Sequence, residues 1–364
     1  MTMIYPLYRY FAETVPQARA LFAEAANEAG VTVRTWEHPL PGPMGEMLAL
    51  DACYLGPPDA ENVLMITSGT HGVEGHTGSG IQVGVLRHLR EMNFAPAIGV
   101  LLVHLVNPWG CAWSRRENED NVDIFRDLIY LTPPYPDNPL YDQFEEGLNP
   151  RTWHGPERAR ADAIWDAFAA EYGMDVVTAT IRRGTHKHAK GLTYNGQGPT
   201  WSRRTVEAVA DAFLLSAKRI GVCDIHTGFG DFGGLLVCSH NARDSKSFQT
   251  VGRWLEADVY ETGNHPLIPT HPAMPYEHLG PQVGAEVIVA ALEYGTHDVA
   301  GAFDIFRANT FIHTYGDPQS EFASRVAAEY RELFYPRSAT WRSTVLTNGM
   351  QMVARIGTGV TAWR

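Results

Sequence analysis

The stretch VLMITSGTHGVEGHTGSG, residues 63–80, decides how this chain folds and where its chemistry sits. Its first six residues, 63–68, are almost continuously apolar, the pattern of a strand covered on both faces. Five glycines follow, at Gly69, Gly72, Gly75, Gly78 and Gly80. A turn so rich in glycine lets the backbone approach a site closely. Within it, His71 and Glu74 stand in H-x-x-E spacing. On a tight turn this spacing lets an imidazole nitrogen and a carboxylate converge on one cation. Catalytic zinc takes three protein ligands of N and O type and keeps one position for water. Alone, the spacing is a weak signal, because the chain has 15 His and 41 acidic residues.

Outward from that stretch, further apolar runs at 99–106, 221–226, 234–239 and 287–293 predict buried strands. Helical patterns occupy 77–92, 156–172, 202–218, 245–257 and 318–333, and an amphipathic helix within 10–30 ends at Gly30. Strands alternating with helices of this length predict a three-layer α/β/α sandwich around a mixed, largely parallel sheet. Residues 131–156 are rich in Pro, Asp, Asn and Tyr and read as a long surface excursion. Motifs lie on both sides of it, so residues 1–364 are expected to form one domain with an insertion or long loop at about 131–156.

A third metal ligand should come from another strand end. The run VCDIHTGFG supplies Asp224 and His226 on one side of its strand. Asp224 is then placed to support His226 from behind; a core histidine bonded to a carbonyl is the plainer alternative. The run VIVAALEYG ends in Glu293, a carboxylate whose burial is costly unless it is paired or functional. It is the candidate general base, or else a structural ion-paired residue. The segment 107–127, NPWGCAWSRRENEDNVDIFRD, brings Arg115, Arg116 and Arg126 beside Asn118 and Asp123. An arginine near a metal can stabilise an oxyanion, and another can grip a carboxylate. A solvated charged loop would read the same way.

These four elements, in this order, resemble the zinc carboxypeptidase (M14) superfamily, which includes succinylglutamate desuccinylase and aspartoacylase. Closer still is the resemblance to the DUF2817 family, carried by SGTHGVEGHTGS, AWSRRENEDNVD, YNGQGPTWS (residues 194–202) and DIHTGFG. The resemblance spans about residues 60–300. It implies a zinc carboxypeptidase-like fold and one zinc ion held by His71, Glu74 and His226. It further implies Glu293 as the base, Arg116 as the oxyanion group, and Arg126 with Asn118 as substrate-binding residues. One position departs from the pattern. The superfamily usually has Asn before the last arginine of the segment, and here Phe125 stands there. Phenylalanine has no hydrogen bond to give a substrate carboxylate.

Other features exclude function classes. The net charge of −12 argues against a surface built for nucleic acid or anionic lipid. No apolar stretch reaches the length of a membrane span, and the N-terminal residues do not read as a signal peptide. Four cysteines without a CxxC pair suggest buried free thiols in a cytoplasmic protein. Residues 228–233, GFGDFG, match G-x-G-x-x-G, but a strand pattern follows instead of a helix. A Gly-rich hairpin beside the metal site is expected there. His186 and His188 lack a close carboxylate and read as exposed or as lining the cleft entrance.

The expected function is therefore zinc-dependent hydrolysis of an amide, with an N-acyl amino acid or related small amide as substrate. A carboxypeptidase-type exopeptidase on short peptides is the alternative, and a non-catalytic metal-binding module on the same fold is another. The sequence leaves oligomerisation open.

Overall fold

The computed structural model describes residues 6–91, 98–129, 132–262, 264–265, 268–269, 273–298 and 302–364. Eight strands make one sheet: β1 (Val33–Glu37), β2 (Ala49–Leu55), β3 (Asn62–Ser68), β4 (Gly99–His104), β5 (Arg219–Gly228), β6 (Leu235–Ser239), β7 (Val259–Glu261) and β10 (Glu286–Gly295). Between the last two lies a separate two-stranded ribbon of β8 (Asn264–His265) and β9 (Ile268–Pro269). The sheet order is β1-β2-β4-β3-β5-β10-β6-β7. Its centre, from β4 through β10, is parallel, and antiparallel pairs flank it.

The helices in chain order are α1 (Val15–Glu28), α2 (Gly75–His88), α3 (Pro108–Ala112), α4 (Ile124–Asp127), α5 (Pro139–Leu148), α6 (Pro156–Tyr172) and α7 (Met174–Arg183). They continue with α8 (Trp201–Phe213), α9 (Lys246–Leu255), α10 (Leu279–Val283), α11 (Phe303–Thr314), α12 (Glu321–Phe334) and α13 (Ala339–Ala362). Among the described residues no helix is long and apolar enough to cross a membrane. All four cysteines are free, and Cys238 alone is not fully buried.

Period-two alternation explains why the central strands read as unbroken apolar runs. Leu64, Ile66, Cys223, Ile225, Ala290 and Leu292 face the layer built by α1, α2, α9 and α13. Val63, Met65, Ile220, Val222, Val289 and Ala291 face the layer of α8 and α10. Both faces are dry, so every position is apolar until the strands emerge at their C-terminal ends. On the α8 side the series then changes to Thr67, Asp224, His226 and Glu293.

Several details differ from the sequence expectations. Within 131–156, read as a surface excursion, α5 forms, and its Tyr141, Phe144 and Leu148 pack against Phe168 of α6 and Val177 and Ile181 of α7. Asn138 caps that helix and Pro139 opens it, so the polar and proline residues mark a helix start. Residues 228–234 do not form a hairpin. β5 and β6 each pair with opposite edges of β10, and the Gly-rich turn passes over the end of β10, with Gly233 N–H donating to the Gly295 carbonyl. The expected helix end at Met92 and the start of the excursion at Leu131 lie outside the described residues.

One buried trio has the residue types of a nucleophilic triad. His104 Nε2 lies 2.8 Å from Ser79 Oγ, and its Nδ1 lies 4.0 Å from Asp51. Yet all three are buried, the ring is stacked on Phe22, and Asp51 is committed to Arg19. Burial pulls the His104 imidazole down to about 4, with Asp51 opposing. The unfolded chain therefore binds this proton first, near pH 6.5, and stability should fall as pH drops from there towards 4. The contribution of this one group is up to ~3 kcal/mol. Denaturant midpoints measured across that range should show a shallower slope in His104→Gln than in the wild type.

Candidate metal centre

His71 follows β3 and stands just before a single 3-10 turn, Gly72–Glu74, that leads into α2. Two glycines make this junction. Gly69 has φ +72°, in the left-handed region that favours glycine. At Gly72 a Cβ would lie 2.3 Å from the Gly110 carbonyl carbon, so the turn rests directly on the backbone of α3. Gly72 N–H donates to the Arg116 carbonyl and Val73 N–H to that of Arg115. The ligand turn and the arginine segment are thereby locked to one another.

Register delivers the other side. Within the parallel β5–β10 pair, His226 is the direct partner of Glu293. Neighbouring strands run about 4.8 Å apart, so these side chains project side by side. His226 reaches across to His71 and Glu74. Its Nδ1 lies 3.2 Å from His71 Nδ1 and 3.0 Å from Glu74 Oε2, while Glu74 Oε1 lies 2.9 Å from His71 Nδ1. Three donors this close, two imidazole nitrogens and a carboxylate, match the ~3.3 Å separation of tetrahedral ligands at zinc distances. All three residues are buried, and among the described residues this is the one such group of metal-ligand side chains.

Each of the three side chains is held from behind. Glu74 Oε2 accepts the Thr227 N–H at 3.1 Å. Burial pushes the Glu74 carboxyl up, but the charges and hydrogen bonds of His71 and His226 outweigh it and hold the group at about 2. The far nitrogen of His226, Nε2, meets Asp224 Oδ2 at 2.6 Å. The other Asp224 oxygen accepts from Thr67 and Thr70, and the Thr70 hydroxyl also meets Tyr276. For His71 the far nitrogen lies 3.4 Å from Asp123 Oδ1 and 2.6 Å from Arg116 Nη2. Arg116 is tied in turn to Asp123 through a 2.6 Å bond. Burial raises the Asp123 carboxyl, yet Arg116 and His71 carry it well below the usual range.

Glu293 stands half-buried at the wall beside His226, and its Oε1 accepts the Phe229 N–H at 2.9 Å. Burial, reinforced by the charge of Glu74, pushes its carboxyl up to about 7. A cavity of about 140 Å³ opens on this wall. His71, Arg116, Arg126, His226 and Glu293 line it, with Phe125, Leu236, Met274 and Ala291 as apolar surface.

The structure thus brings together His71, Glu74, His226, Asp224, Glu293, Arg116 and Arg126. Asn118, expected to bind substrate, does not join them. Its Oδ1 accepts the backbone N–H groups of Asp120 and Val122, closing its own turn, and the residue does not line the cavity. Arg126 donates to the Arg182 carbonyl and lies 4.9 Å over the Phe125 ring. His186 and His188 are separate from the site: His186 bonds to the Gly196 carbonyl and His188 to Asp142. Two residues had no role assigned to them in the sequence reading. Asp123, beside Arg116 in space, sits seven residues from it in a run crowded with acids, and only its closeness to His71 distinguishes it. Arg182 enters the cavity wall from α7, far from any motif.

A family described as "Protein of unknown function (DUF2817)" matches residues 11–348. No curated protein matches the chain. Among solved structures, that of thrombin activatable fibrinolysis inhibitor superposes with a TM-score of 0.52 at 10% identity, covering 99% of this chain and 78% of that one. A metallo-carboxypeptidase from Pseudomonas aeruginosa, in complex with (2-guanidinoethylmercapto)succinic acid, gives 0.42 at 12% identity, covering 93% and 68%. One from Burkholderia cenocepacia gives 0.40 at 12%, covering 94% and 68%. At such identities the likeness is one of fold.

Proposed function

The chain belongs to the DUF2817 family, and we propose that it is a zinc-dependent hydrolase of amide bonds, acting on N-acyl amino acids or related small amides. The observation that carries this reading is the convergence of His71 Nδ1, Glu74 and His226 Nδ1 within about 3 Å, with Glu293 directly opposite His226 on the neighbouring strand. These residues would hold one zinc ion, which would supply an acidified water and a polarised carbonyl.

The chain's own groups do the rest. Glu293, ionised, accepts a proton from the attacking water and hands it to the leaving nitrogen. Its bond from the Phe229 N–H aims it along the cavity wall. For His71 to offer Nδ1 as a ligand, its proton must sit on Nε2, where Asp123 accepts it. Arg116 Nη2 then has no acceptor on His71, while Nη1 stays anchored to Asp123. That leaves Nη2 as a charged donor for the oxyanion of the tetrahedral intermediate. Arg116→Ala should therefore lower kcat by roughly 10²- to 10³-fold. Zinc content should stay unchanged, which metal analysis on the same preparation checks.

Phe125 favours a small amide over peptide trimming. Its ring, 5.7 Å from those of both His71 and His226, makes an apolar wall where the superfamily pattern has a hydrogen-bond donor. The test is hydrolysis of N-acyl amino acids and short peptides by the purified protein, with and without chelator. Turnover lost on chelation and restored by zinc is expected, with the N-acyl amino acids preferred. Tight zinc binding without turnover of either class would leave a metal-binding module, and preference for peptides would favour the exopeptidase.

A further inference from the structure

The cleft does not end at the metal donors. A second cavity of about 90 Å³ adjoins the first, with Ile181, Leu192, Phe303 and Phe306 among its lining. Arg116, Arg126, Arg182 and Phe229 stand in the walls of both. Glu117, also in the second wall, is paired with Arg115 at 3.0 Å.

The three shared arginines are not equivalent. Arg116 is anchored to Asp123 and faces the metal donors, and Arg126 donates to the Arg182 carbonyl and lies over the Phe125 ring. The Arg182 guanidinium lies 4.2 Å over the Phe229 ring. Among the described residues it makes no hydrogen bond or ion pair. A guanidinium stacked on a ring is held flat while its N–H edges stay open to a planar acceptor. Such an edge matches a carboxylate with two parallel hydrogen bonds. Among the described residues no carboxylate takes that place, although the protein as a whole is acidic. Phe125, next to Arg126, lies in the same cavity wall and has no hydrogen bond to give.

Resting on the amide-hydrolase reading, we infer that Arg182 is the specificity-determining anion anchor of this cleft, selecting amides that carry a carboxylate next to an apolar group. The carboxylate seats at the boundary of the two cavities, on Arg182 together with Arg126. The apolar group occupies the wall of Leu236, Met274 and Ala291.

Two measurements test this. The first is binding of 3-phenylpropanoate and of its neutral analogue 3-phenylpropanamide to the full chain as isolated, by calorimetry. The wild type should prefer the acid by about tenfold or more, consistent with one charge-assisted pair. Arg182→Gln should abolish that preference, and Arg182→Lys should recover part of it. No preference in the wild type, or an unchanged one in Arg182→Gln, overturns the inference. The second measurement is kinetic, on an N-acyl amino acid. Arg182→Gln should raise KM about tenfold with kcat within a few-fold of wild type. If Arg182 only props Phe229, the contact to Glu293 loosens and kcat falls instead. The binding arm is independent of catalysis: absent turnover in the wild type would sink the hydrolase reading while leaving the anion preference measurable.

Discussion

Glu293→Gln is expected to leave one zinc ion bound per chain and to lower turnover by roughly 10²- to 10⁴-fold, the range for removal of a positioned general base. The substitution is a narrow one. Glutamine keeps the length of the side chain, and its carbonyl oxygen can still accept the Phe229 N–H that fixes Glu293 in place. What it loses is the capacity to take a proton. The pH profile of the wild type should carry the same signature. Only the ionised carboxylate is a base, so activity should decline as pH falls through its pKa. Burial and Glu74 push that carboxyl up to about 7, while a dication held by His71, Glu74 and His226 would draw it down again. The acid limb of kcat/KM is therefore expected below pH 7 in the zinc-loaded protein, and absent in Glu293→Gln. Turnover in the variant close to that of the wild type would mean that the base is another residue.

The second large effect is the loss of metal itself. His226→Ala should leave only a small fraction of the roughly one ion per chain bound by the wild type, and activity should vanish with it. His71 and Glu74 alone offer two donors from one turn, short of the three that a catalytic zinc site requires. The substitution also strips Asp224 of its partner in a fully buried place, so circular dichroism must accompany the metal analysis. Asp224→Asn separates the two effects. It touches only the far nitrogen of the ring, and it should weaken zinc affinity by about 10- to 100-fold without removing a ligand. Full metal content in folded His226→Ala would refute the ligand assignment.

The parts of this protein legible in its sequence share one physical property: they are local. β3, β4, β5 and β10 were readable because two dry faces force continuous apolar runs. His71 and Glu74 were readable because a single turn joins them. The rest depends on contacts that spacing cannot express. The edge strand β1 is short and mostly open to solvent, and β2 carries Asp51, so neither shows an apolar run. The long helix α13 is full of Thr, Gly and Val, poor helix formers, and packing against α2, α9 and the sheet sustains it. Asp123, Arg182 and the Thr67–Thr70–Tyr276 support of Asp224 belong to the site only because the fold brings them there. Asn118 shows the converse: its residue type suits substrate binding, yet its amide oxygen is engaged by its own backbone turn.

The pairing of His226 with Glu293 across β5 and β10 bears on how such a protein can diversify. On the proposed reading, the distance from metal ligand to base is set by the ladder spacing of a parallel sheet, a constant that loop variation does not touch. Phe125, Arg182 and Phe229, by contrast, all lie outside the strands, on short helices and turns. On that reading, reactivity and selectivity rest on separate parts of the chain. Substitutions at the rim can thus alter the cavity without moving the spacing between His226 and Glu293.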